Sequence, residues 1–79
     1  MYESQDILRA VRQHPFQPFR LHVFSGETFA VRHPELILVT DSAVIVGTGE
    51  GHTQGAAAGF EIVGLDHVVK VEPVGESTI

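Results

Sequence analysis

Apolar side chains recur at two spacings along this chain, and the change from one to the other divides it. Between Ser4 and Gln13, Ile7, Leu8 and Val11 share one helical face, with Arg9 and Arg12 on the other side. Ser4 is the expected N-cap, and the two arginines stand near the C-terminal end, where the helix dipole favours cations. His14-Pro15 closes the helix, since a residue before proline is pushed out of the α region, giving a predicted helix over 4–13. Pro15 to Phe19 is an extended connector whose two phenylalanines pin the helix onto the sheet.

From Phe19 the period becomes two. Phe19, Leu21 and Val23 face one way, and Arg20, His22 and Phe24 the other. Ser25-Gly26-Glu27 reads as a hairpin turn in which Gly26 supplies the positive φ. Phe29 and Val31 continue the buried face on the return strand, with Thr28, Ala30 and Arg32 outward. Pro34 bends or breaks that strand because it cannot donate to a ladder. Leu36 to Val39, a turn at Thr40-Asp41-Ser42, and Ala43 to Val46 come next. The glycine-rich stretch 47–59 has no period and reads as a mobile loop. Phe60 to Val63 form a strand, Gly64-Leu65-Asp66 a tight connection, and His67 to Glu72 a last strand closed by Pro73. The tail 74–79 is expected to fray.

These elements predict one domain over 1–79, mainly β although α+β by count. The N-terminal helix precedes a strongly bent five-stranded antiparallel sheet over 19–73, rolled into a small Sm-like or SH3-like barrel. Leu36 to Val39, Val44 to Val46 and Val68-Val69 are apolar on both strand faces, whereas a half-exposed antiparallel strand alternates. One interior and one short helix leave part of that surface uncovered, so a homo-oligomer is expected. Its interface is expected to use Phe24, Ile37, Val39, Ile45 and Val69.

Composition sharpens this picture. A chain of 79 residues hides only about 60 % of its unfolded surface, which makes added stabilisation by association valuable. The absence of cysteine removes disulfides, thiolate metal sites and thiol nucleophiles. Five Lys and Arg against ten Asp and Glu leave a net charge of −5, which opposes DNA binding and disfavours RNA. Three of those cations, Arg9, Arg12 and Arg20, nevertheless fall near the helix and could form a local basic patch. An acidic start without an apolar h-region, and no apolar run of the roughly 20 residues that span a bilayer, make the cytoplasm the expected compartment and a membrane partner unexpected.

The element order, with Gln5 to Arg12, Val23-Phe24-Ser25-Gly26, and Ile62-Val63-Gly64 followed by Asp66-His67-Val68-Val69, resembles the Sm-like (Hfq-type) RNA chaperones. That resemblance implies a ring that binds RNA through Gln5, Arg9 and Arg12 on the helix-bearing face, with His67 at the pore. The chain departs from the family in carrying Asp66 where a lysine precedes the histidine. Nothing between Arg32 and Val46 reproduces the Asp and Asn that hold a base. Pro15-Phe16-Gln17-Pro18-Phe19, with His33-Pro34-Glu35, also looks like a group of short uncharacterised bacterial proteins that carries no activity.

Chemical constellations are sparse. Arg32 and His33 are expected to lie near His22 across the first hairpin, where histidines with Glu35 or Asp66 could hold a metal. No His-x-His or His-x-x-x-His spacing supports that, so no metal ligand is assigned. No serine occupies a Gly-x-Ser-x-Gly elbow, and Asp66-His67, neighbours on a strand, would point to opposite faces. Gly47-Thr48-Gly49-Glu50-Gly51 lacks a following Lys-Ser or Lys-Thr, and Glu50 opposes an anion. Ser77-Thr78-Ile79 has the form of a ligand for a carboxylate-capturing domain. The sequence therefore predicts no enzyme, no catalytic residue and no cofactor. It predicts a binding or assembly module acting through self-association and protein partners, with the RNA ring and a histidine metal site as alternatives.

Overall fold

The computed structural model of this protein describes residues 2–49, 51 and 56–74. Those described residues form one short helix and six strands in two three-stranded antiparallel sheets. Glu50, the segment 52–55 and the tail 75–79, with its Ser77-Thr78-Ile79 ligand pattern, lie outside the described residues. No helix among the described residues is long and apolar enough to cross a membrane.

The helix, α1, spans Ser4–Val11. Its N-cap is Glu3 rather than Ser4, because the Asp6 carboxylate reaches back 2.8 Å to accept the Glu3 N–H. A carboxylate in the first turn also suits the positive end of the helix dipole. The helix ends two residues before the expected boundary, where the Arg12 N–H closes the last turn on the Leu8 carbonyl. Ile7 is wholly buried, and the partly buried Ala10 and Val11 pack against the same core.

In the first sheet β1 (Phe19–Val23) is central, with β2 (Thr28–Val31) and β6 (Val68–Pro73) on its flanks. The predicted alternation holds: Phe19, Leu21 and Val23 are buried, Arg20 and His22 half-exposed. Gly26 turns the hairpin at φ +99°, a left-handed conformation that L side chains avoid. The second sheet runs β3 (Ile37–Val39), β4 (Ala43–Thr48), β5 (Gly59–Gly64), with β4 central. Thr40 builds the β3–β4 turn, its Oγ1 accepting the Ala43 N–H at 3.0 Å.

Counting the stretch from Thr28 to Val39 as one bent strand predicts five strands. Pro34 breaks it instead, into a 3-10 turn over Pro34–Leu36 that sends β2 and β3 into different sheets. A second 3-10 turn, Leu65–His67, carries the chain from β5 back to β6. His67 therefore belongs to a turn and not to the last strand. Of the stretch 47–59 expected as a loop, Gly47 and Thr48 extend β4 and Gly59 opens β5. The Ala58 N–H donates to the Thr48 carbonyl at 3.0 Å, so the hairpin continues beyond the strands.

Between the two sheets lies one core of Ile7, Phe19, Leu21, Val23, Val31, Val44, Val46, Val63, Leu65 and Val68. It contains no buried polar side chain among the described residues, so it supplies non-directional apolar burial and nothing that chemistry could use.

Candidate functional site

The surface that stands out is the outer face of the β3–β4–β5 sheet. Register places Leu38 opposite Ile45 and Ile45 opposite Ile62, one apolar row across three strands. Phe60, two residues along β5, extends the row, and Ala43 flanks it on β4. Leu38, Phe60 and Ile62 are 59 %, 64 % and 63 % exposed. No strand residue on this face carries a charge, in a chain whose net charge is −5. Glu61 shares a register position with the buried Val46, so its side chain leaves β5 on the opposite face.

Of the residues expected at an interface, Ile45 lies in this row and Phe24 and Val69 are exposed elsewhere, at the first hairpin and on β6. Ile37 and Val39 are turned the other way. They pair with the buried Val46 and Val44 and pack half-buried against the core, which leaves Leu38 as the outward residue of β3. Leu38, Phe60 and Ile62 were missed. Their signal was present in Phe60-Glu61-Ile62-Val63, whose period of two puts two large apolar groups on the face away from Val63.

Two of the four edge strands, β6 and β5, differ in how open they are. On β6 the Val71 N–H donates to the Tyr2 hydroxyl at 3.3 Å, so the N-terminal segment covers part of that edge. β5 has no neighbouring strand on its outer side among the described residues.

The expected RNA-contacting residues lie on two separate elements, the helix and the turn before β6. Gln5 and Arg9 are exposed on α1 and Arg12 at its C-cap, and Arg9 lies 3.8 Å from Asp6 of the same helix. His67 sits by the first hairpin, where its carbonyl accepts the Phe24 N–H at 2.8 Å. Among the described residues no hydrogen bond or ion pair joins the helix cations to His67. Asp66 and His67 approach to 3.9 Å within their turn and are both well exposed, a screened surface contact.

The other histidines separate as well. His22 pairs with Thr28 near the hairpin turn, whereas Arg32 follows Val31 at the far end of β2, about 13 Å along the strand. Their expected proximity fails because antiparallel register puts early residues of one strand opposite late residues of its partner. His22 instead meets Glu72 of β6 at 2.8 Å, with Arg20 and Lys70 at 3.9 and 3.8 Å from the same carboxylate. The hydrogen bond from His22 holds the Glu72 pKa below its ordinary value, and the Lys70 charge adds to the effect. No group of three or more metal-ligating side chains occurs among the described residues.

Comparison of the chain with protein-family models, with curated proteins and with solved structures finds no match.

Proposed function

We propose that this protein is a non-enzymatic assembly module whose outer apolar sheet face is covered by a second copy of the same chain. The reading rests on one observation: Leu38, Ile45, Ile62 and Phe60 form an uncharged stripe on an otherwise acidic molecule. Elsewhere two copies would have to desolvate charged side chains in order to meet. Face to face on this stripe they meet apolar surface with apolar surface, and a two-fold axis makes one patch complementary to itself. Exposed apolar side chains that are contiguous rather than scattered singly are where interaction sites lie. Exposed residues around the stripe would extend it toward the roughly 800 Å² per partner of a stable interface. In this reading the two sheets are the halves of one strongly bent small barrel, split at Pro34, with Sm-like or SH3-like connectivity. A further protein partner would bind the assembled form.

The test is sedimentation equilibrium across a wide concentration range. A concentration-dependent rise from monomer to dimer is expected. A compact monomer persisting to millimolar concentration would refute the proposal.

A further inference from the structure

A second feature, distinct from the apolar stripe, is the backbone along the free edge of β5. The Leu65 N–H donates to the Ser42 carbonyl, so the pairs that exchange backbone hydrogen bonds along this hairpin are Val44 with Val63 and Val46 with Glu61. The bond from the Thr40 N–H to the Ala43 carbonyl fits the same alternation. It turns the odd-numbered residues of β4 toward β3 and leaves the even-numbered ones for β5. Phe60 and Ile62 occupy the intervening positions of β5 and direct their N–H and C=O groups away from β4. No strand pairs with that edge among the described residues. Unpaired backbone groups along a strand are a template for one more strand.

The two faces of the sheet set what such a strand must carry. On the outer face its side chains would lie beside Phe60 and Ile62, at the margin of the uncharged apolar row. On the inner face they would lie beside Glu61, which is exposed although it shares a register position with the buried Val46. A small cleft of about 210 Å³ opens there, bounded by Glu61 and Val63 on one side and by Glu27 and Phe29 of the first hairpin on the other. Its lining has two carboxylates and no Lys or Arg, and neither Glu27 nor Glu61 has an ion-pair partner among the described residues. His67, which also lines it, lies 3.9 Å from Asp66. A strand with apolar side chains outward and cations inward matches both faces, and the net charge of −5 draws a basic segment toward the molecule as a whole.

We infer that the free edge of β5 takes up an extended partner segment in which apolar and basic residues alternate. Backbone groups of Phe60 and Ile62 hold its main chain, its apolar side chains continue the outer row, and its cations meet Glu61 and Glu27. Edge and stripe are separate surfaces: sedimentation of the chain alone reads the stripe, and a peptide titration reads the edge.

Nuclear magnetic resonance titration of the full chain with three synthetic peptides tests this. They are acetyl-Val-Arg-Val-Arg-Val-amide, the same sequence with glutamate for arginine, and the permuted acetyl-Arg-Val-Val-Val-Arg-amide. The alternating arginine peptide is expected to shift the Phe60 and Ile62 amides and to slow their hydrogen exchange, with the other two about tenfold weaker or more. Glu61→Lys, at an exposed position, should reverse the preference between arginine and glutamate peptides. Ile62→Pro removes an N–H that does not bond β4 and should abolish binding while the β4–β5 ladder persists. Ile62→Ala keeps that N–H and should stay within about fivefold of wild type. If the proline variant fails to fold, Glu61→Lys decides. Unchanged Phe60 and Ile62 amides, equal binding of the arginine and glutamate peptides, or equal binding of the permuted one would each overturn the inference. Slow exchange of both amides before any peptide is added would overturn it too, since the edge would then already be occupied.

Discussion

Ile62→Ala isolates the apolar stripe from everything else in the fold. Ile62 lies on the outer side of β5, 63 % exposed, and belongs to no part of the buried core. Burying a whole isoleucine side chain contributes about 1.5–3 kcal/mol, so the fraction still available at Ile62 corresponds to about 1–2 kcal/mol on each partner. In a two-fold interface the substitution occurs on both sides. The dimer should lose about 2–4 kcal/mol, and its dissociation constant should rise by about 30- to 1,000-fold. Sedimentation equilibrium on wild type and variant reads that change directly. The monomer should be nearly unaffected, because a surface change away from the core stays within about 0.5 kcal/mol. Thermal melts at a concentration where both proteins are monomeric supply the control. A wild type that associates while Ile62→Ala does so with the same constant would refute the placement of the interface on this face. A variant that melts far below the wild-type monomer would show that Ile62 supports the subunit itself.

Other parts of the structure lead to three more expected outcomes. Glu72→Gln should lower the melting temperature at neutral pH. The depressed pKa of Glu72 means that its ionised form stabilises the fold above its ordinary value of 4.5, and that this contribution is lost as pH falls through the folded value. The difference between the two proteins should therefore close on acidification below that point, and one that stays constant with pH would remove the His22 and Lys70 interactions as its cause. Gly26→Ala meets no atom within 4 Å, so its whole cost is the left-handed backbone, about 1–2 kcal/mol in a denaturant titration with unchanged slope. Fluorescence anisotropy with oligo-A and oligo-U should show no salt-dependent binding even at low ionic strength, since ten Asp and Glu against five Lys and Arg leave the chain at a net charge of −5. Tight binding abolished by Arg9→Glu with Arg12→Glu would restore the RNA ring.

Local chemistry wrote much of this protein into its sequence. The switch from a helical period to a period of two, the burial of Phe19, Leu21 and Val23, the Gly26 turn and the Thr40 turn all depend on residues a few positions apart. The break at Pro34 was equally local, because proline has no N–H to donate to a ladder and its ring fixes φ. Register across strands was not local. Which of Ile37, Leu38 and Val39 faces the core depended on pairing with Val44 and Val46, and the run itself is apolar throughout. Tertiary pairing likewise brought Glu72 to His22 across fifty positions, kept Arg32 far from His22, and left the outer edge of β5 without a neighbouring strand among the described residues. A short stretch of chain encodes its own dihedral preferences and periodicity. It does not encode which distant strand arrives beside it, and that arrival decided which apolar residues became core and which became surface.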